Sequence, residues 1–155
     1  MKRKTCCFLG HRKIEITDAL RNKLYNVIKK LIVEENVNTF LFGSKSQFKD
    51  LCHKIVSELK IIYPHIKRIY VRAEFPYIND DYKSYLLQSY EDTYYPATII
   101  KSWKFVYVER NYEMISQSDF CIIYFNENYV PDKQKNPPLT DNRSKSGTKS
   151  PILTL

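Results

Sequence analysis

Short apolar runs and helical apolar stripes alternate along the first half of the chain. Lys4–Leu9 reads as a short buried strand that stops at Gly10. After the polar turn Gly10-His11-Arg12-Lys13, Thr17 is placed to cap a helix, and Asp18 suits its first turn. Leu20, Leu24, Val27, Ile28, Leu31 and Ile32 then recur at helical spacing as far as Asn36. Thr39–Phe42 predicts a second strand, ending at Gly43-Ser44. A second helix is expected over Gln47–Ile61, with Phe48, Leu51, Cys52, Ile55, Val56 and Leu59 as its apolar stripe and Pro64 closing it. Ile66–Val71 predicts a third strand, followed by Arg72-Ala73-Glu74. Strands that alternate with helices in this way imply a parallel sheet with right-handed crossovers.

The second half is less regular. Residues 79–91 read as a helix with Tyr82, Tyr85, Leu86 and Tyr90 on one side. Eight of the thirteen tyrosines fall between Tyr63 and Tyr95, either as packing under a long connection or as a stacking surface for a base. Phe105–Val108 reads as a short strand or an extended link, Glu109–Gln117 as a helix, and Phe120–Phe125 as a strongly apolar strand. Residues 126–146 are polar with three prolines and are expected to form a flexible loop, as a flap or a disordered stretch. The fold class expected is α/β, a single Rossmann-like three-layer domain over 1–155 with a mainly parallel sheet.

Composition narrows the class. A chain of 155 residues, 43% hydrophobic and 27% charged, suits one folded domain. No apolar run approaches the roughly 18 residues of a membrane span. The basic-then-apolar start is too short for a signal peptide, so no membrane partner and a cytoplasmic location are expected. Cys6, Cys7, Cys52 and Cys121 lie in apolar stretches without a CxxC pair and read as buried free thiols, and no metal site is expected. The net charge is +8, of which the segment from Pro131 holds +3 with five basic and two acidic residues. That excess favours anionic partners, phosphorylated small molecules and nucleic acid alike.

The chain has three glycines, Gly10, Gly43 and Gly147. Two follow a predicted strand directly and precede a helix. Open parallel sheets bind ligands at the carboxyl ends of their strands, where glycine allows a close backbone approach and helix N–H groups face phosphate. The candidate ligand-binding residues are therefore Gly10, His11, Arg12, Gly43, Ser44, Arg72, Glu74, Arg110, Asn111, Ser146, Gly147 and Thr148. His53 and His65 have no clustered partner. Arg110 and Asp119 are as well suited to a structural pair as to a site. Walker A, GxGxxG, GxSxG and paired metal-binding histidines are missing. Glu74, Glu109 and Asp119 are isolated carboxylates, and none is marked as a catalytic acid or base.

Taken in order, Phe8-Leu9-Gly10-His11-Arg12, Phe40-Leu41-Phe42-Gly43-Ser44, Val108-Glu109-Arg110-Asn111-Tyr112-Glu113-Met114-Ile115, Ser118-Asp119-Phe120 and Ser146-Gly147-Thr148-Lys149 resemble the SLOG superfamily. The similarity is to the YpsA-like bacterial branch of these Rossmann-like domains, and it spans roughly residues 1–150. The superfamily also includes DprA-type DNA-processing proteins and Lonely-guy phosphoribohydrolases. The resemblance implies a pocket for a nucleotide or nucleotide-derived ligand, walled by the turns at Gly10, Gly43 and Gly147. It implies no resident cofactor beyond that ligand, and related domains often form dimers.

Binding or sensing of the ligand is the first expectation. A nucleotide N-glycosidase or phosphoribohydrolase is the second, and a single-stranded nucleic-acid-binding module the third. The hydrolase reading is weakened at Gly147-Thr148-Lys149-Ser150, where Lonely-guy enzymes carry a glutamate soon after their glycine-rich stretch. Relatives continue there into a helix and a final strand, where this sequence has Pro151-Ile152-Leu153-Thr154-Leu155.

Overall fold

A computed structural model describes residues 3–43, 45–100, 103–125 and 152–154. Among the described residues, six strands form one sheet: β1 (Lys4–Leu9), β2 (Val37–Phe42), β3 (Lys67–Val71), β4 (Asp92–Tyr94), β5 (Phe120–Ile123) and β6 (Ile152–Thr154). Their spatial order is β4-β3-β2-β1-β5-β6, and every pairing is parallel. The chain steps outward from β1 to β4 and then returns to β5 on the other side of β1. This is the reversal at which open α/β sheets leave a crevice.

The helices among the described residues are four: α1 (Asp18–Val33), α2 (Gln47–Ile62), α3 (Asp80–Leu86) and α4 (Phe105–Gln117). Right-handed crossovers place α1 and α2 on one face of the sheet. There Leu24, Ile28, Phe48, Ile55 and Leu59 pack on Cys6, Phe8, Phe40 and Phe42. The other face carries Cys7, Leu41, Val71 and Cys121, covered by Met114 of α4. Neighbouring strand residues point to opposite faces, so Cys6 and Cys7 each serve a different core. All four cysteines are buried and free. The fold is thus a Rossmann-like α/β domain with helices on both faces of a parallel sheet.

Local chemistry fixes the ends of these elements. The Thr17 side chain accepts from Leu20 N at 3.1 Å and starts α1. Asn36, at φ 66°, turns the chain from α1 into β2. The Ser46 side chain starts α2 by accepting from Lys49 N at 3.0 Å.

Four details differ from the sequence reading. Phe105–Val108 is the first turn of α4 and not a strand or extended link. Its alternation of aromatic and β-branched residues imitates a strand, and no side chain caps the helix at Lys104. The helix expected over 79–91 ends at Leu86. β4, three residues long, and β6 have no counterpart in the sequence reading. Residues 126–146 lie outside the described residues.

Among the described residues, no helix is long and apolar enough to cross a membrane.

Candidate functional site

A cavity of about 550 Å³ opens at the carboxyl ends of β1, β2 and β3. Its floor comes from Gly10 and Gly43, which follow β1 and β2. One wall is the segment Arg72-Ala73-Glu74-Phe75 after β3, and the opposite wall is Tyr107, Arg110 and Asn111 of α4. Arg12, Lys45, Ser46, Tyr70 and Tyr82 complete the lining. Seven of the residues singled out in the sequence therefore share this cavity: Gly10, Arg12, Gly43, Arg72, Glu74, Arg110 and Asn111. His11 is not among the lining residues. Its ring lies edge-on to Tyr124 and tilted against Phe125, each 5.8 Å away between centroids. Ser44, Ser146, Gly147 and Thr148 lie outside the described residues.

The two glycines are needed for packing, and neither has a left-handed backbone. A Cβ at Gly10 would meet Phe48 Cδ2 at 2.3 Å and Phe48 Cβ at 2.8 Å. A Cβ at Gly43 would meet Met114 Sδ at 2.7 Å and Arg110 Nε at 2.8 Å. The end of β1 thus makes room for α2, and the end of β2 makes room for the arginine of α4.

Arg110 is only 3% exposed. Burial lowers its pKa, against the raising influence of Tyr70, Tyr107 and Glu74. Its Cζ sits 5.5 Å from the centre of the Tyr107 ring, and its Nε donates to Asn111 Oδ1 at 3.4 Å, a long bond. No carboxylate forms an ion pair with it among the described residues. Arg72 Nε is buried and has no hydrogen-bond partner among them. Such an orphaned donor costs about 1–3 kcal/mol, so both guanidiniums hold bonding capacity that the described residues do not use.

Glu74 accepts a hydrogen bond from the Tyr107 hydroxyl. That bond raises the phenol's pKa, with smaller contributions from desolvation and the Glu74 charge. Phe75 holds φ 55°, a left-handed conformation that costs a side-chain-bearing residue about 1–3 kcal/mol. It presents its ring edge-to-face to Tyr82, with centroids 6.3 Å apart. The wall is therefore aromatic beside its cations, and Arg12 and Lys45 stand exposed at the rim.

Lys45, Ser46, Tyr70, Ala73, Phe75, Tyr82 and Tyr107 were not among the sequence candidates. Tyr82 belonged to the tyrosine-rich stretch, whose stacking reading pointed in its direction. Tyr107 lay in the misassigned turn of α4.

Other candidates resolve elsewhere. Asp119 accepts from Thr5 N at 2.9 Å and returns a backbone bond to Thr5 O at 2.7 Å. It locks the amino end of β5 to β1, at the opposite edge of the sheet from Arg110, so the two form no pair. His53 Nε2 lies 2.8 Å from Ser89 O, and its ring packs on Phe42 and Tyr90. Among the described residues, no group of three or more His, Cys, Asp or Glu side chains is placed to hold a metal.

Neither protein-family models nor curated proteins give a match to this chain.

Proposed function

We propose that this domain binds a nucleotide or nucleotide-derived ligand at the carboxyl ends of its strands. One observation carries the reading: two guanidiniums without carboxylate partners among the described residues line an aromatic cavity at the ends of a parallel sheet. A volume of about 550 Å³ lies within the ordinary range for small-molecule and cofactor sites. Guanidinium forks suit phosphate oxygens, and aromatic rings suit a base. Glu74 adds an acceptor for hydroxyl or amino groups.

A binding role fits better than a hydrolytic one. Among the described lining residues, the best-placed carboxylate, Glu74, is bonded to a tyrosine rather than to a nucleophile or water-activating group.

Thermal-shift measurements on the full chain test the reading, with nucleoside monophosphates, dinucleotides and ADP-ribose derivatives as probes. A ligand at 100 times its Kd stabilises by about 2.7 kcal/mol. In a domain of this size that raises Tm by roughly 5–10 °C. Folded protein that responds to no phosphorylated probe overturns the proposal. Free base released from a nucleoside monophosphate moves the assignment to an N-glycosidase.

A further inference from the structure

We propose that the cavity holds a phosphoryl group on Arg72 and Arg110, and not on the amino end of α2 behind the Gly43 turn. The inference rests on the nucleotide reading above and specifies where the ligand's charge is received.

In a Rossmann-like sheet, the usual phosphate receiver is the row of free N–H groups opening a helix after a glycine turn. In α2 that row is largely engaged. Gln47 N donates to Arg12 O at 2.8 Å, and Lys49 N donates to Ser46 Oγ at 3.0 Å. The neighbouring glycines are explained by Phe48, Met114 and Arg110, which a Cβ at either position would strike. Gly43 in particular leaves space for the arginine itself.

The guanidiniums show the opposite condition. Among the described residues, Arg110 is buried with a single long bond to Asn111 and a ring beneath it. Arg72 Nε is buried with none among the described residues. Arg72 itself lines the cavity that an incoming oxygen would enter. Two permanently charged forks together match the charge and the several oxygens of a phosphate dianion better than a single carboxylate. Arg12 and Lys45 are exposed at the rim and serve to attract the anion.

The test uses the full 15N-labelled chain titrated with inorganic phosphate, acetate and adenosine monophosphate. Arginine Nε–Hε and backbone amide signals are followed in wild type, Arg72→Lys, Arg110→Lys and Lys45→Gln. The expected result is that phosphate and the mononucleotide compete and both move the Arg72 and Arg110 side-chain signals. Arg72→Lys and Arg110→Lys each weaken phosphate on the order of 10- to 100-fold, and Lys45→Gln only a few-fold. Arg72→Met controls for folding: it abolishes the phosphate response without lowering the Tm of the free protein, because it removes an orphaned donor.

If phosphate instead shifts the Phe48 amide and the arginine variants bind normally, this assignment falls and nucleotide binding stands. Acetate acting as strongly as phosphate also overturns it. Folded protein that binds neither phosphate nor mononucleotide overturns both readings.

Discussion

Adding one methyl group at Gly10 and one at Gly43 separates packing from binding. At Gly10 the methyl meets the fully buried Phe48 ring and its Cβ, neither of which is the free end of a flexible chain. Gly10→Ala is expected to cost about 1–3 kcal/mol in urea denaturation, the range for overpacked cores. At Gly43 the obstacles are Met114 Sδ and the Arg110 side chain, which are able to turn aside. Gly43→Ala should therefore lose less stability but displace the guanidinium, weakening phosphate about tenfold in calorimetric titration. An equal stability loss at both positions, with phosphate affinity intact, contradicts this account. His53 sets a separate pH dependence. Burial, with Lys49 and Arg68, holds its pKa below the usual 6.5, against Ser89 O and Asp50. The unfolded chain then binds a proton that the folded chain refuses, so stability falls as pH drops through and below 6.5. His53→Gln should flatten the stability profile between about pH 7 and pH 5, read from denaturation midpoints. Both glycines were legible as turn residues because each follows an apolar run. The reason for them was not, since Phe48, Arg110 and Met114 reach them only through the tertiary fold.

Elements announced by periodicity came out close to where the sequence placed them, and α1 behind the cap expected at Thr17. α1 and α2 each run 16 residues behind an observed cap, Thr17 and Ser46. Thr17→Ala should cost about 1 kcal/mol, the usual value of such a cap, with phosphate binding unchanged because Thr17 is not among the residues that line the cavity. Circular dichroism melts alongside the phosphate titration check both halves of that statement. α4 shows the limit of the same logic. Lys104 offers no capping side chain, and Phe105-Val106-Tyr107-Val108 alternates like a strand. Only docking on the sheet beside Met114 selects the helix. The error concealed a wall of the site, because Tyr107 precedes Arg110 by three residues and lies on the same helical face. β4 is too short for a period of two to register. It is held by tertiary bonds such as Thr93 Oγ1 to Tyr70 O at 2.8 Å.

Across the whole molecule, the arrangement of positive charge decides between a small ligand and a strand of nucleic acid. The net charge of +8 favours both. The sequence named half of the cleft's lining, Arg12, Arg72 and Arg110 among it, because topology brings successive strand ends together, but it missed Lys45 and could not tell which guanidiniums are buried without a carboxylate. In the fold, Arg12, Lys45, Arg72 and Arg110 surround one cavity that also contains Glu74. Two other arginines are engaged elsewhere: Arg21 bonds Glu58 at 2.6 Å, and Arg68 bonds Glu91 at 2.7 Å. A groove that tracks a phosphate backbone adds contacts, and salt sensitivity, with every nucleotide it covers. A closed cluster receives one terminal group and gains nothing from the rest of the strand. The affinity of 5′-phosphorylated oligodeoxynucleotides should therefore stay flat as length grows, and removal of the terminal phosphate should weaken each by about tenfold. Fluorescence anisotropy over a length series measures both. Affinity that climbs with length and a salt slope that steepens in parallel would place the strand along the surface and give the domain to nucleic acid.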